Sequence, residues 1–300
     1  HQLDFNYDLK SINLLWQEFL DTVLPDKKTQ QTLQESLGYL FIKDLKLEKA
    51  IFLYGTGSNG KSLIFEVLQG LLSSEMMTNY SLDSLTGSGY HRANINNKFI
   101  NYGSDISMKK IEHGVFKQLV SGEPIEVRQI RQEPFIMKNY AKLIFNLNKI
   151  DDANVETTIG FFRRMVFIPF EITISKEEQD KKLHKKILEN KAGVLNWILE
   201  GVSNVLKNQE ILISKKCDDF LESFKKESNL AHRFIEECSL NKSEVNILTF
   251  QFVYEKFRLF CFKQGEKTIA QRVFNNELKK LEFDFTRRSS GNVWFASYGK

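Results

Sequence analysis

Eight residues in the first quarter of the chain have the types and spacing that handle phosphate: Gly55-Thr56-Gly57-Ser58-Asn59-Gly60-Lys61-Ser62. They fit the pattern G-x-x-x-x-G-K-[ST]. Glycines let backbone N–H groups turn inward around an anion, and the N-terminus of a following helix adds partial positive charge. Lys61 can then reach the β- and γ-phosphates, and the Ser62 hydroxyl can ligate Mg2+. The flanks are those the pattern requires. The apolar run Ala50 to Tyr54 predicts a buried strand before the loop, and Leu63 to Leu68 has helical apolar spacing after it. The expected ligand is a nucleoside triphosphate. A phosphate-loop enzyme also needs an acid on a neighbouring strand to hold Mg2+ through water. Phe99 to Asp105 reads as a strand ending in a carboxylate, which makes Asp105 the candidate.

The elements that must position these groups follow in order. Ser11 is the expected cap of a helix from Ile12 to Thr22, Pro25 ends it, and a second helix runs from Lys27 to Lys43. Ser81 to Asn97 is polar with a weak helical stretch, and Ile111 to Val120 reads as a helix. Ile125 to Arg131 and Phe135 to Met137 read as a hairpin carrying Arg128, Arg131 and Lys138. Ala141 to Asn148 is a buried strand ending in amides, and Met165 to Phe170 is a strand preceded by Arg163-Arg164. A charged helix over Lys176 to Glu189 leads into a second around Gly193 to Gly201. Strands alternating with helices after a phosphate loop predict an α/β fold with a mostly parallel sheet. Residues 207–224 read as a linker. Beyond it, helices over Thr249 to Phe262 and Ala270 to Leu281, then a hairpin over Phe283 to Phe295 turning at Ser289 to Asn292, outline a winged helix.

Composition bounds the rest. At 300 residues, 42% of them apolar with 25 Phe, the chain is long enough for two domains and too apolar for wholesale disorder. Cys217, Cys238 and Cys261 are far apart and odd in number, which fits a reducing, intracellular setting rather than a disulfide framework or a zinc site. The histidines are equally scattered. No apolar run approaches the roughly 18 residues of a membrane span, and no membrane partner is expected. The chain begins at His1, so a fragment of a longer protein is expected. Net charge is +4, yet residues 225–300 carry 14 Lys/Arg against 9 Asp/Glu, so the basic excess sits in the C-terminal part. That hints at phosphate-rich partners.

Taken together the motifs resemble the superfamily III helicases, specifically the phage and plasmid primase-helicase branch related to the poxvirus primase-helicase. The resemblance is carried by the loop Gly55 to Ser62, the Ser104-Asp105 strand end, Ser121-Gly122-Glu123-Pro124-Ile125-Glu126-Val127-Arg128 and Lys142-Leu143-Ile144 through Asn148. Arg163-Arg164 before Ile168-Pro169-Phe170, Asp180-x-x-Leu183 and Gly193-x-Leu195-Asn196-Trp197 continue it, over roughly residues 30 to 205. It implies an AAA+-like P-loop ATPase core (46–206) with an N-terminal helical collar (1–45) and a C-terminal winged-helix-like domain (225–300). The implied activity is that of an ATP-driven DNA helicase, a hexameric ring threading single-stranded DNA in phage or plasmid replication, in the cytoplasm of a bacterial host. Lys61 and Ser62 would hold ATP and Mg2+, and Asp105 would sit at the magnesium and water-activating position. Asn148 would be the polar sensor. Arg164, with Arg163 as the alternative, would be an arginine finger for the neighbouring subunit. The hairpin with Arg128, Arg131 and Lys138 would line the DNA pore. Family members often follow a primase or polymerase module in the same polypeptide. Two features depart from the pattern: a single acid at Asp105 where paired acids or a Glu are frequent, and no proline soon after Asn148.

Two other readings compete. Asn148-Lys149-Ile150-Asp151 matches the guanine-reading motif of small GTPases, but the Asp-x-x-Gly that such enzymes require occurs nowhere in the chain. An ATP-switched DNA-binding replication initiator or loader, without unwinding activity, is the rival from another class.

Overall fold

The computed structural model describes residues 3–73, 75–104, 111–148, 159–288 and 291–298. Asp105, the expected magnesium acid, and the turn residues Ser289 and Ser290 lie outside the described residues. Contacts divide the chain into two compact units, the break falling between Glu222 and Ser223.

The first unit opens with two helices, α1 (Leu14–Val23) and α2 (Lys27–Phe41). Asn13, not Ser11, caps α1: its side-chain oxygen accepts the Trp16 N–H at 2.9 Å while its amide donates to the Ile187 carbonyl at 2.7 Å. One side chain thus satisfies a helix end and ties it to a distant element, which a lone hydroxyl could not do. Ser11 instead donates to Asn190 at 2.7 Å. Strand β1 (Ala50–Tyr54) feeds the glycine loop and α3 (Lys61–Leu71), and β2 (Met77–Thr78) follows. Short helices α4 (Leu82–Gly87) and α5 (Gly89–Arg92) lead to β3 (Ile100–Gly103) and α6 (His113–Ser121). Strands β4 (Ile125–Val127) and β5 (Phe135–Met137) pair antiparallel as the expected hairpin. Then come β6 (Lys142–Leu147), α7 (Ile159–Phe162), β7 (Met165–Pro169), α8 (Leu183–Leu188) and α9 (Lys191–Asn208).

Five of these strands form one parallel sheet in the order β2-β3-β6-β1-β7. Strands buried on both faces read as continuous apolar runs, and all five residues of β7 are buried. Strand β1 lies between β6 and β7, while the chain leaving it crosses to the far edge at β2. Ligands in such sheets bind beyond the carboxyl ends of the strands at this reversal of order, which is where the glycine loop lies. Helices α1 and α2 share their core with the sheet: Trp16, Phe19, Leu33 and Leu37 belong to the same cluster as Ile51, Leu53 and Ile168. Backbones of α2 and α9 touch where Gly38 meets Gly201. A Cβ on Gly38 would lie 2.4 Å from the Val202 nitrogen, and one on Gly201 would lie 2.2 Å from the Gln34 carbonyl.

The expected linker is largely structured. Residues 207–208 end α9, and α10 (Lys215–Glu227) occupies the rest beyond a short extended stretch, with Phe220 packed on Tyr54 at 4.5 Å. Thr29, Ser214 and Thr32 pin that stretch through buried hydrogen bonds.

The second unit runs α11 (Leu230–Glu237), β8 (Leu240–Thr249), α12 (Phe250–Lys263), α13 (Gln271–Lys280), β9 (Phe285–Arg288) and β10 (Gly291–Tyr298). The two helices and the hairpin match expectation. Helix α11 and strand β8 are additions, and β8 pairs with β10 to give an antiparallel sheet in the order β8-β10-β9. Phe257 stacks on Phe274 at 4.2 Å within a core that includes Phe234 and Trp294.

Candidate functional site

The loop between β1 and α3 is built from backbone conformations that few side chains tolerate. Gly57 has φ +116°, Ser58 +50° and Gly60 +86°, the last being the residue that opens α3. This succession turns the segment around a hollow, and a Cβ on Gly57 would meet nothing within 4 Å. The hollow is walled from below by Asn59, which is 3% exposed and donates to the Phe170 carbonyl at 3.2 Å. Its side-chain oxygen accepts from Lys61 Nζ at 2.9 Å, and the Gly55 carbonyl accepts from the same ammonium at 2.6 Å. Lys61 is 4% exposed, so its charge is held at the mouth of the helix by protein groups rather than by bulk water. Ser62 is exposed on the first turn of α3.

The loop is one wall of a cleft of about 550 Å3. Ser104, Asn146 and Asn148 reach the cleft from the carboxyl ends of β3 and β6, and Glu178, Asp180 and His184 close it on the other side. The structure therefore brings the loop, Ser62 and Asn148 together. The segment after β7 is positioned by the Ile174 N–H, which donates to the Ser58 carbonyl at 2.7 Å. It was expected as one helix from Lys176 to Glu189, but only Leu183–Leu188 is helical. Asp180 accepts from the Lys182 N–H at 2.8 Å and from Lys186 at 2.6 Å, folding the preceding residues back as a lip. His184 contacts Glu66 of α3 at 3.2 Å.

Sequence reasoning missed Asn146 and Tyr102. Tyr102, fully buried in β3, donates to Asn146 at 2.8 Å and lies 3.4 Å from the Lys61 carbonyl. Burial pushes its phenol well above the usual tyrosine range, so it stays a neutral donor. Strand β6, strand β3 and the start of α3 are thereby joined beneath the cleft. The available signal was an amide inside the apolar run Leu143 to Leu147, since a buried amide needs a partner.

Arg163 and Arg164 lie at the other end of the sheet. They precede β7, whose Met165 pairs with Ala50 at the start of β1, whereas the glycine loop follows Tyr54 at its end. Those five residue pairs, four steps of about 3.3 Å, span about 13 Å. Arg164, the preferred finger, is 8% exposed. It donates to the Gly160 carbonyl at 2.6 Å and to Ser121 at 2.8 Å, and it contacts Glu48 at 2.9 Å. Its guanidinium is committed inside the chain. Arg163 is 59% exposed and meets the same Glu48 at 3.1 Å. Arg128, Arg131 and Lys138 are exposed on the hairpin, remote in sequence from the loop; Arg128 donates to the Gln132 carbonyl at 2.9 Å, and Ile130 at the tip is 75% exposed.

Fold and site together define an α/β protein with a parallel five-stranded sheet and a phosphate-type loop at its carboxyl edge. A profile of a family of unknown function (DUF5906) matches residues 53–164, from the strand before the loop to the double arginine. No curated protein matches the chain. Among solved structures it is similar to the apo structure of the NrS-1 C-terminal region (305–718), at TM-score 0.58 and 15% identity, covering 98% of this chain and 79% of that one. The A-form apo structure of the same region gives 0.60 at 15% identity, covering 98% and 80%. These likenesses extend over both units and establish the fold. Among the described residues no helix is long and apolar enough to cross a membrane.

Proposed function

We propose that this chain is an ATP-driven nucleic-acid motor of the superfamily III helicase type, working as a ring of copies. The observation that carries the reading is the placement of its two phosphate-directed groups at opposite ends of one sheet. The loop sits past the carboxyl end of β1, and the arginines sit before the amino end of the adjacent β7, with about 13 Å of paired strand between. An arginine there is out of range of its own triphosphate and available to a neighbour's. Of the pair, exposed Arg163 takes the role of finger, and Arg164 is a positioning residue bound to Ser121 and Gly160.

The residues fit ATP with Mg2+. The positive-φ hollow accepts a phosphate chain, Lys61 neutralises its charge, and Asn146 and Asn148 face the cleft as neutral sensors of the terminal phosphate. Among the described residues no group of three or more His, Cys, Asp or Glu could hold a metal. In such sites Mg2+ is held by a hydroxyl, an acid, water and the phosphates. Ser62 and Asp105 would hold it, and when bound it neutralises charge developing on the transferred phosphoryl group. The hairpin bearing Arg128, Arg131 and Lys138 contacts single-stranded DNA, and the second unit serves as a winged-helix-like accessory.

Mixing subunits tests the reading. Arg163→Ala subunits lack a finger but keep a loop, and Lys61→Ala subunits lack a working loop but keep a finger. Each alone should be inactive, and mixed rings should regain DNA-stimulated hydrolysis. No recovery at any mixing ratio overturns supply from a neighbour. Strand displacement on a tailed duplex then separates a helicase from an ATP-switched loader.

A further inference from the structure

The amino end of the sheet holds a second cavity, of about 410 Å3, that the ATP reading does not use. Six lysines line it: Lys43, Lys46 and Lys49 from the extended segment before β1, Lys98 before β3, and Lys138 and Lys142 around the start of β6. One carboxylate, Asp44, lines it with them. Among the described residues none of the six makes an ion pair. Instead five of them rest on carbonyl dipoles or a ring face. Lys46 donates to Gly122 at 3.0 Å, Lys49 to Arg163 at 2.5 Å and Lys98 to Glu75 at 2.8 Å, while Lys43 stands 4.6 Å from the centre of the Phe99 ring. Lys142 donates to the carbonyls of Tyr39 and Leu45 at 3.0 and 3.1 Å and also to that of Ile42.

Three chain segments thus bring like charges to one hollow with little to balance them. Burial pushes the Lys49 ammonium below the usual lysine range and Lys142 down to about 7, with Asp44 and Glu48 only partly opposing. An anion in the cavity would relieve both. The cavity is large enough for a small organic ligand, well beyond one inorganic phosphate. Its lysines act as point charges, as lysines do where they bind phosphate oxygens. Tyr140, partly buried, supplies a ring to the lining, next to the Phe99 ring that Lys43 faces. Cationic grooves with aromatic faces hold nucleotides by phosphate contact and base stacking.

We propose that this lysine-lined cavity is a second nucleotide site, separate from the triphosphate cleft, which takes a phosphate and its nucleoside. The nucleotide is either one unit of a single strand or a free mononucleotide. The site needs neither ATP binding nor hydrolysis, so it stands or falls apart from the motor reading.

The test uses the full chain without ATP and reads anisotropy of a labelled oligo-dT strand, with free dTMP and inorganic phosphate as competitors. Lys43→Ala/Lys46→Ala/Lys98→Ala should weaken strand binding at least about tenfold at low salt and make the slope of log K against log salt shallower by about two, near 0.7 per lost contact. A control triple at exposed lysines elsewhere, Lys10→Ala/Lys28→Ala/Lys207→Ala, should change neither. Equal losses in both triples, or no loss in either, overturn the site. If dTMP displaces the strand far better than inorganic phosphate, the nucleotide unit is recognised; if only a strand competes, the ligand is a strand segment. Displacement by inorganic phosphate as effective as by dTMP overturns nucleotide recognition. Acetylation mapping of the unaltered chain gives a readout independent of any variant: the strand should protect Lys43, Lys46 and Lys98, and equal labelling with and without it overturns the proposal. The part of fluorescent ATP-analogue binding that Lys61→Ala removes, measured in parallel, reports the triphosphate cleft and so shows which of the two readings has failed.

Discussion

The two ends of the central sheet build positive potential by different means. At the carboxyl end, positive potential comes from backbone: a loop at positive φ, the opening turn of α3, and one lysine held by the Gly55 carbonyl and Asn59. Such a cradle is fixed before any ligand arrives and has little like-charge repulsion to overcome. At the amino end, the potential comes from side chains: six lysines around one cavity, with Arg163 and Arg164 beside it through Lys49 and Ser121. Carbonyls hold four of those charges one by one, and two of them are pushed toward neutrality. The first end is a fixed hollow shaped by backbone around one lysine. The second is a field of side-chain charge.

The largest expected effect strikes the first end. Lys61→Ala removes the only side-chain cation of the loop and should abolish ATP hydrolysis while leaving the circular dichroism spectrum unchanged; retained turnover would place the active site elsewhere. Next in size is the second end. Arg163→Ala should lower assembly-dependent turnover by about 10³-fold or more, the usual contribution of a finger, with ATP affinity nearly unchanged. Arg164→Ala tests the division of labour. Loss of its bonds to Ser121 and Gly160 should lower the melting temperature, an effect Arg163→Ala should not share. If only Arg164→Ala blocks turnover without destabilising the chain, the two roles are exchanged.

A smaller effect tests whether the amino end is charged at a cost. Lys142 is pushed from 10.5 to about 7 when folded. Between those values the unfolded chain keeps a proton that the folded chain has released, so stability rises with pH across that window, by at most about 1.4 kcal/mol per pH unit. The carbonyls of Tyr39 and Leu45 and the Tyr39 ring favour the charged form and reduce the gain. From pH 7 to 9 the unaltered chain should gain about 1–2 kcal/mol relative to Lys142→Met in urea denaturation. Parallel curves would mean that the ammonium stays charged throughout.

Much of this asymmetry was legible in the sequence at one end and hidden at the other. The loop announces itself because its residues are contiguous and its flanks are unbroken apolar runs. The lysine cavity does not, because its members come from three segments, each of which reads as an ordinary solvated face. The same reasoning explains the missed β8: eight of its ten residues are polar or exposed, so an edge strand looked like loop. Helix α8 was overextended because Lys176 to Lys182 contains no glycine or proline to end a helical pattern, whereas Asp180 bends the chain through its own hydrogen bonds. Arg164 was preferred over Arg163 because nothing local distinguishes two adjacent arginines. The bonds of Arg164 to Ser121, 43 residues away, and to the Gly160 carbonyl decide which one is buried.

The smallest predicted effect probes the link between the cleft and the strands that support it. Tyr102 donates to Asn146 beneath Lys61, and the pair is buried among apolar side chains. Tyr102→Phe keeps the ring and removes one hydroxyl, leaving the Asn146 oxygen without that donor. A lost buried hydrogen bond costs about 1 kcal/mol, somewhat more when the partner stays unsatisfied. The melting temperature of the first unit should therefore fall by about 2–4 °C. If the hydroxyl only stabilises the sheet, kcat and KM for ATP should be unchanged. If it orients Asn146 toward the terminal phosphate, kcat should fall several-fold at constant KM, because the amide would then be free to rotate away at the moment of transfer. Asn146→Asp separates the two outcomes: it keeps an acceptor for Tyr102 but introduces negative charge beside the phosphates, so a sensor role predicts a far larger loss of turnover than of stability.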